Sequence, residues 1–289
     1  MVNISNILVA GIAISSLYAL VAIGFTLIFG VGGVFNLAHG ALLALGGFTS
    51  YFISFKYGLS PVLGLVGAVL VTGLVGGVLY LKVIEPVEDN TVAVLILTLL
   101  AGFLIQFGFG IFVTKQTVSI PQIAPGSVSI AGTTVQNNTV FVFVSSVILM
   151  ASLFVLVERT EVGKAIIAMS MSERGASLVG IDQRRMKLYT WVLAAMFAGF
   201  AGVLLTSYQT GQWNMGLQPL LLSFTIVILG GLGSIKGSIV AAYLIGFVET
   251  ITTSVVSSQL TGVVPLTLLI VILLVRPQGL FGRGVETDV

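Results

Sequence analysis

The chain has 289 residues, of which 57% are hydrophobic and only 8% charged, and its formal net charge is +2. Soluble domains carry roughly a quarter charged residues, so this chain cannot cover itself with polar surface in water. The small net charge and the lack of a separate basic run exclude nucleic-acid binding. The absence of cysteine excludes disulfides, thiolate nucleophiles and cysteine-ligated metals.

Apolar runs of about twenty residues recur along the chain, which is the length that crosses a hydrocarbon core of roughly 30 Å. A bilayer core offers backbone amides no hydrogen-bond partner, so these unbroken runs predict helices and not a barrel. The sequence predicts an all-α, polytopic membrane helical bundle of eight or nine transmembrane helices in one domain over residues 1–289, with a retained first helix. The predicted spans are 5–29, 36–55, 61–81, 91–113, 139–157, 188–209, 218–233, 237–258 and 262–275.

The segment 158–187 concentrates charge, with six basic and four acidic residues. If it is cytoplasmic, strict alternation of the spans places ten Lys and Arg residues inside, Arg283 among them, and leaves two, Lys56 and Lys115, outside. The positive-inside rule then predicts a multi-pass protein of the cell membrane with its N-terminus outside and its C-terminus in the cytoplasm.

Glycine interrupts one apolar segment in each half of the chain, at Phe35–Gly40 and at Leu229–Ser234. In the predicted topology these segments run in opposite directions, as in an inverted repeat with broken or re-entrant helices. Irregular backbone at membrane depth is tolerated only inside protein or beside a water-filled path.

Two other polar positions lie in predicted spans. His39, which is predicted near the cytoplasmic end of the second span, is either a functional residue or a packing residue bonded to a backbone carbonyl. Glu249 has no Lys or Arg partner within the spans, which favours an interhelical hydrogen bond over a proton relay. Tyr208, Gln212, Trp213 and Asn214 cluster at the outer end of the sixth span, which favours an interfacial belt over contact with a solute.

The inventory of reactive residues opposes catalysis. A single histidine, no cysteine and few carboxylates provide no metal cluster and no nucleophile with a base beside it. Gly231–Ser238 is glycine-rich but has Lys-Gly-Ser where a Walker phosphate loop needs Gly-Lys-Ser/Thr. We therefore expect no enzyme, no metal and no cofactor in this chain, and any ATP must be bound by a separate subunit.

Two loops are candidates for binding other proteins. The outside loop 114–138 is either a contact for a delivery protein or a solvated connector with a short hairpin. In the cytoplasmic loop, Met169–Gly180 is predicted to form an amphipathic helix that buries Ala176, Leu178 and Val179 and ends at Gly180.

The stretch Gly175–Ile181 resembles the Ala-Ala-x-x-x-Gly core of the loop by which permeases of ABC importers dock into their ATPase, except that Arg174 stands where that motif has Glu. A plain interhelical loop is the alternative. The candidate docking residues are Glu173, Arg174, Ala176, Gly180 and Ile181.

Four sets of segments occur in order along the chain: SLYALVAIGFTLIFG at 16–30 with NLAHG at 36–40, LVGID at 178–182 with AGFAGVL at 198–204, VILGGLGSIKG at 227–237, and RPQGLFG at 276–282. Together they resemble one family, the permease subunits of branched-chain amino-acid ABC importers, and the shorter permease of the pair in particular. Two departures are Leu37 for the usual Phe and Lys236 for the usual Pro. The resemblance makes six residues the candidates for lining a solute path: Asn36, His39, Gly40, Gly230, Gly231 and Gly233.

The resemblance implies a permease subunit for branched-chain or other hydrophobic amino acids, in a complex with a second permease, cytoplasmic ATPases and an external substrate-binding protein. Related importers handle urea and short amides, so the solute stays open. The rivals from other classes are a self-sufficient channel or secondary transporter, for which Glu249 is the one ionised coupling candidate within the spans, and an intramembrane enzyme.

Overall fold

The computed structural model describes residues 4–113, 116–118, 120–130, 133–276 and 278–281. Lys115 and Arg283 of the charge count, and Pro277 and Gly282 of the last family segment, lie outside these residues. The described helices are α1 (Ile4–Gly32), α2 (His39–Tyr51), α3 (Pro61–Leu79), α4 (Thr91–Phe112), α5 (Asn137–Arg159), α6 (Glu161–Met171), α7 (Glu173–Leu178), α8 (Gln183–Tyr208), α9 (Leu217–Gly230), α10 (Ile235–Val255) and α11 (Val263–Val275).

The all-α membrane prediction is confirmed. Six helical stretches are long and apolar enough to cross a bilayer: Ile7–Gly32, Pro61–Val87, Thr91–Phe112, Asn137–Arg159, Gln183–Tyr208 and Ile235–Val255. The stretch after α3 continues as a π-helical turn, Tyr80–Ile84, and a 3-10 turn, Glu85–Val87. The apolar helices α9 and α11 are shorter, and α2 has 13 residues before a π-helical turn, Phe52–Lys56. The predicted total of eight or nine crossings therefore stays a prediction.

Local signals in the sequence explain where the peripheral helices begin. Side-chain oxygens of Ser60, Asn90 and Asp182 accept the backbone N–H groups of Leu63, Ala93 and Arg185 at 3.3, 3.1 and 3.1 Å. Thr160, Ser172 and Ser234 cap α6, α7 and α10 in the same way. Each cap satisfies one of the N–H groups that a helix start leaves without an intrahelical partner.

Two helices begin differently, without a side-chain cap and inside the bundle. The first residue of α2, His39, donates a hydrogen bond of 2.9 Å from its Nε2–H to the carbonyl of Val21, near the middle of α1. At the start of α9, Gly216 lies against Gly40, so that a Cβ on either residue would overlap the carbonyl of the other. Both helix starts thus lie against other protein segments. Backbone without caps is tolerated at membrane depth only inside protein or beside a water-filled cavity.

From this meeting point α2 and α9, which we call the two half-helices, run to opposite ends of the bundle. The charged end is formed by α6 and α7, where Ile166, Met169 and Ala176 pack with Val31 of α1. The hairpin end carries the antiparallel strands β1 (Ser127–Ile130) and β2 (Thr133–Gln136). The end of α2 lies beside Gln116–Val118 at the hairpin end, whereas the end of α9 lies beside α6 at the charged end.

The structure corrects three sequence expectations. The predicted second span begins at 36, but α2 begins at His39, and His39 lies at mid-depth and not near an end of the bundle. The chain is non-helical at 33–38, which overlaps the predicted interruption at Phe35–Gly40, and another non-helical segment lies at 209–216, between α8 and α9. The predicted second interruption, Leu229–Ser234, is the tight turn between α9 and α10.

Small residues allow the long helices to pack closely. The two most extensive helix pairs are α1 with α10 and α3 with α8. Gly246 of α10 lies on Ser15 of α1, and Gly199 of α8 lies on Thr72 of α3. Inside lipid no hydrophobic effect drives helices together. The close approach of the backbones provides van der Waals packing in its place.

We expect Gly40→Ala to destabilise the bundle by about 1–3 kcal/mol, because its methyl group overlaps the Gly216 carbonyl and forces the half-helices apart. Gly108→Ala is the matched control, since Gly108 lies in α4 with nothing within 4 Å of an added Cβ. The control should be neutral or stabilising by up to ~1 kcal/mol. Thermal unfolding in detergent, followed by tryptophan fluorescence, measures both variants, and equal melting temperatures would contradict the proposed contact.

Candidate functional site

The first group of predicted path residues lies at the start of α2. Asn36 and His39 are buried, and the Asn36 side chain accepts a hydrogen bond from the N–H of Ala38 at 3.0 Å. Asn36 Nδ2 and His39 Nδ1 have no hydrogen-bond partner within the described residues. Gly40 provides the contact with Gly216. These three residues therefore form the joint between α1, α2 and α9.

An aromatic cluster surrounds this joint. Phe35 stacks on Phe29 with ring centroids 4.6 Å apart, and it contacts Phe224 of α9 at 5.0 Å. Phe25 completes the cluster, with its ring 5.6 Å from Phe35 and 5.6 Å from the ring of His39. The sequence does not distinguish these phenylalanines from others, because phenylalanine is common in membrane helices. They are recognised as a cluster only because the fold brings them together from three segments.

On one side of the aromatic cluster lies the hairpin-end cavity, with a volume of about 720 Å³. It lies between α1, α9, α10, the start of α11 and the interrupted segment 209–216. Apolar and polar groups both reach it, and its lining residues are Tyr18, Gln209, Thr210, Gln212, Asn214, Met215, Leu217, Gln218, Leu221, Leu222, Thr225, Glu249, Thr261, Gly262, Pro265 and Leu266. An adjoining cavity of about 200 Å³ shares Tyr18, Gln218 and Glu249 with it and extends to Val21.

The interrupted segment 209–216 is held from outside by the loop that carries the hairpin. Val118 and Gly211 exchange two backbone hydrogen bonds of 2.8 Å, as a single antiparallel bridge. The sequence interpretation placed Gln212 and Asn214 in an interfacial belt, but both line the hairpin-end cavity. Trp213 instead packs on Phe107 of α4, with ring centroids 5.6 Å apart. The run of polar residues between two apolar spans was the signal for this segment.

Glu249 makes the interhelical hydrogen bond that the sequence analysis favoured. Its Oε1 accepts the N–H of Gly262 at 3.3 Å, which ties α10 to the start of α11. Tyr18 of α1 lies beside the same carboxyl group.

On the other side of the aromatic cluster lies the charged-end cavity, with a volume of about 880 Å³. The end of α1, the end of α6, the α9–α10 turn and the described C-terminal residues line it. Of the second group of predicted path residues, Gly233 lines this cavity, whereas Gly230 and Gly231 line neither cavity. Gly230 packs on Gly237, and its carbonyl accepts the N–H of Phe281 at 3.0 Å.

The predicted docking residues lie in a short helix at the charged end. The continuous helix predicted over Met169–Gly180 is wrong, because Ser172 ends α6 and caps α7 through Gly175 N–H at 3.0 Å. Gly180 ends α7 in the predicted way, with φ +84°. Ala176 is buried as predicted, but Leu178 and Val179 are 81% and 76% exposed, which corrects their predicted burial.

The five candidate docking residues therefore divide into two groups. Ala176 and Ile181 face inward and fasten α7 to α1 and α6, and Glu173 is ion-paired with Lys187 at 3.2 Å. Arg174 and Gly180 are exposed. With Leu178 and Val179 they form the α7 tip, which is the part of α7 that a partner protein can reach.

Ion pairs connect this loop to the segment between α3 and α4. Lys187 also pairs with Glu88 at 3.4 Å, and Arg184 pairs with Glu85. Helix α7 is therefore in contact with α1 through the apolar cluster, and with the α3–α4 segment through the ion pairs that Lys187 makes with Glu173 and Glu88. Among the described residues no group of His, Asp or Glu could hold a metal ion.

Residues 7–273 match the family described as branched-chain amino acid transport system / permease component. The high-affinity branched-chain amino acid transport system permease protein LivH of Escherichia coli (strain K12) is 27% identical over 94% of this chain and 94% of its own length. The corresponding protein BraD of Pseudomonas aeruginosa is 30% identical over 96% of this chain and 95% of its own length.

The probable branched-chain amino acid transport permease protein LivH of Methanocaldococcus jannaschii is 29% identical over 96% of this chain and 92% of its own length. No solved structure shows a significant match. The family match extends from α1 into α11 and includes both half-helices, α7 and the residues that line the hairpin-end cavity. The chain therefore belongs to the family of permease components of branched-chain amino acid transport systems.

Proposed function

We propose that this chain is the membrane-spanning permease subunit of an ATP-driven importer of branched-chain or other hydrophobic amino acids. One observation supports this beyond family membership: the bundle has a cavity at each end, and Phe25 of the aromatic cluster lies on α1 between Tyr18, which lines the hairpin-end cavity, and Phe29, which lines the charged-end cavity. Alternating access needs a closed barrier between two solvent-facing chambers. A permease component moves its solute without changing it chemically, and it carries no cofactor of its own.

We place the charged end in the cytoplasm and the hairpin end outside. In this topology residues 1–289 form a single permease domain whose chain passes through the membrane nine times. Seven passes are helices, and two consist of an extended segment followed by a half-helix, 33–56 and 209–230. The N-terminus is then outside and the C-terminus cytoplasmic.

An inverted repeat accounts for the arrangement of the half-helices. In the repeat, α1 to α4 correspond to α8 to α11, so that α2 corresponds to α9 and Gly40 to Gly216. Two similarities support this correspondence: both half-helices begin without a side-chain cap, and each of these glycines lies on the carbonyl of the other. Inverted repeats in transporters typically bring discontinuous helices together at the bilayer midplane.

The partners follow from what the chain lacks and exposes. ATP is bound by cytoplasmic ATPase subunits, since no Walker pattern stands in this sequence. These subunits dock on the α7 tip. A second permease subunit completes the membrane part, and an external substrate-binding protein delivers the solute to the hairpin end.

The mechanism is a population shift between outward-open and inward-open states. ATPase closure moves α7, and α7 pulls on α1 through Val31 and on the α3–α4 segment through Lys187 and Arg184. Because α1 carries Phe25 and Phe29, its movement separates the aromatic cluster. ATP can favour one of the two states only if the ATP-bound ATPases bind that state better than the other. The contacts of α7 provide this difference in binding.

Import in vesicles tests the whole proposal. The complex reconstituted with its ATPases and binding protein should accumulate leucine only when ATP is supplied on the ATPase side. If the chain alone accumulates leucine in response to an ion gradient, it is a secondary transporter and the proposal is overturned. If the complex imports urea or short amides and not leucine, the importer mechanism stands and the solute class is wrong.

Val179→Glu should reduce ATPase association at least tenfold, because a charge replaces an apolar side chain that is 76% exposed at the α7 tip. The matched control is Val128→Glu in β1, the same change at the hairpin end, where the valine is 42% exposed. Co-purification of the ATPase with each variant is the measurement. Loss of association in both variants, or in neither, would argue against docking at the α7 tip.

Cysteine labelling tests the topology, since the chain has no cysteine of its own. In sealed cells, a membrane-impermeant maleimide should label Gln122→Cys, in the hairpin loop, and should label Arg174→Cys only after the cells are opened. Both native side chains are exposed. Labelling of Arg174→Cys from outside would invert the proposed orientation.

A further inference from the structure

We propose that the hairpin-end cavity binds the zwitterionic backbone of an α-amino acid, and that Glu249 accepts the ammonium group of this substrate. The inference rests on the import function proposed above, and it adds a substrate site inside the membrane part. The argument uses the position of Glu249, the start of α9 and the apolar wall between them.

Glu249 is an isolated acid. Its residue is 5% exposed, it lines both cavities at the hairpin end, and it forms no ion pair within the described residues. In the sequence it is the only Asp or Glu between 183 and 285. A carboxyl group buried among neutral groups is costly unless a complementary group compensates it, and such residues in membrane proteins usually mark a solute or ion path.

The two oxygens of this carboxyl group have different roles. Oε1 accepts the N–H of Gly262, and this bond fixes the side chain between α10 and α11. Oε2 is buried and has no hydrogen-bond partner within 3.5 Å in the described part of the chain, and the Tyr18 hydroxyl is the nearby polar group that interacts with this carboxyl group. An acceptor held in place by one oxygen and unoccupied at the other suits a primary ammonium group, which offers three donors.

The start of α9 provides the opposite charge. Leu217 and Gln218, the first two residues of α9, line the same cavity, and α9 has no side-chain cap. The N–H of Leu217 bonds the carbonyl of Asn214 at 3.4 Å, and Pro219 has no N–H. The N–H of Gln218 and the dipole of the helix start are therefore what attract a carboxylate here. Glu249 and the α9 start therefore offer one partner for each charge of an α-amino acid.

The remaining wall suits an aliphatic side chain. Leu221 and Leu222 of α9 lie in the lining with Pro265 and Leu266 of α11. The cavity volume of about 720 Å³ is within the range of small-molecule sites. Solutes that lack either charge leave Glu249 or the α9 start without a partner, so the site distinguishes amino acids from neutral amides.

Labelling protection tests this site without the ATPase or the binding protein. In the purified chain, Leu221→Cys places one thiol in the cavity, and we measure its reaction rate with a maleimide. Leucine should slow the reaction. Two analogues of equal side chain, 4-methylpentanoate without the ammonium group and 3-methylbutylamine without the carboxylate, should not slow it at the same concentration.

The second variant removes the charge and keeps the fold. Glu249→Gln retains an oxygen for Gly262 N–H, and it should raise the leucine concentration for half protection at least tenfold, which is about 1.4 kcal/mol. The labelling rate without leucine should stay unchanged, which reports that the cavity is intact. Ser254→Ala, an exposed position on α10 outside both cavities, is the control and should keep full protection.

The outcomes separate this inference from the proposed function. No protection by leucine, equal protection by 4-methylpentanoate, or full protection in Glu249→Gln would each overturn the site, even if the complex imports leucine with ATP. Protection that depends on Glu249, combined with import that needs no ATPase, would keep the site and overturn the importer mechanism.

Discussion

The structure depends on one constraint, which is that backbone N–H and C=O groups inside a bilayer must find partners within the protein. The starts of α2 and α9 lack side-chain caps, so their free N–H groups can exist at that depth only where protein encloses them. The mutual contact of Gly40 and Gly216 provides that enclosure. Neither glycine tolerates a side chain there, because the carbonyl of the other occupies the space.

In the proposed importer, this joint determines where the solute passes. The two half-helices end at opposite ends of the bundle, and the bundle has one cavity at its hairpin end and one at its charged end. Phe35, in the interrupted segment 33–38, contacts Phe29 of α1 and Phe224 of α9, and so the break in the first half supplies a ring to the barrier between the cavities. The same aromatic contacts therefore pack α1 against α9 and, in the proposed importer, close the path between the two cavities.

The charged end, which the proposed topology places in the cytoplasm, is connected to the end of α1. The apolar contact of Val31 with Ala176 and Met169 links α1 to α7 and α6, whereas Leu178 and Val179 are left for a partner. At the hairpin end, the bridge between Val118 and Gly211 links the loop to segment 209–216. In the proposed complex, partners at the two ends therefore act on different parts of the bundle: on α1 at the charged end, and on the segment before α9 at the hairpin end.

The sequence by itself determined the all-α membrane class, the break after α1, the end of α7 at Gly180 and the family segments, because these follow from local hydrophobicity, glycine and residue order. It separated two spans at 210–217 but did not predict that this segment lines a cavity, and it missed the depth of His39, the exposure of Leu178 and Val179, and the aromatic cluster. Only the tertiary structure decided these. They depend on which distant segments meet, and in lipid an apolar residue gains as much facing a neighbouring helix as facing the bilayer, so hydrophobic pattern carries no information on the contact.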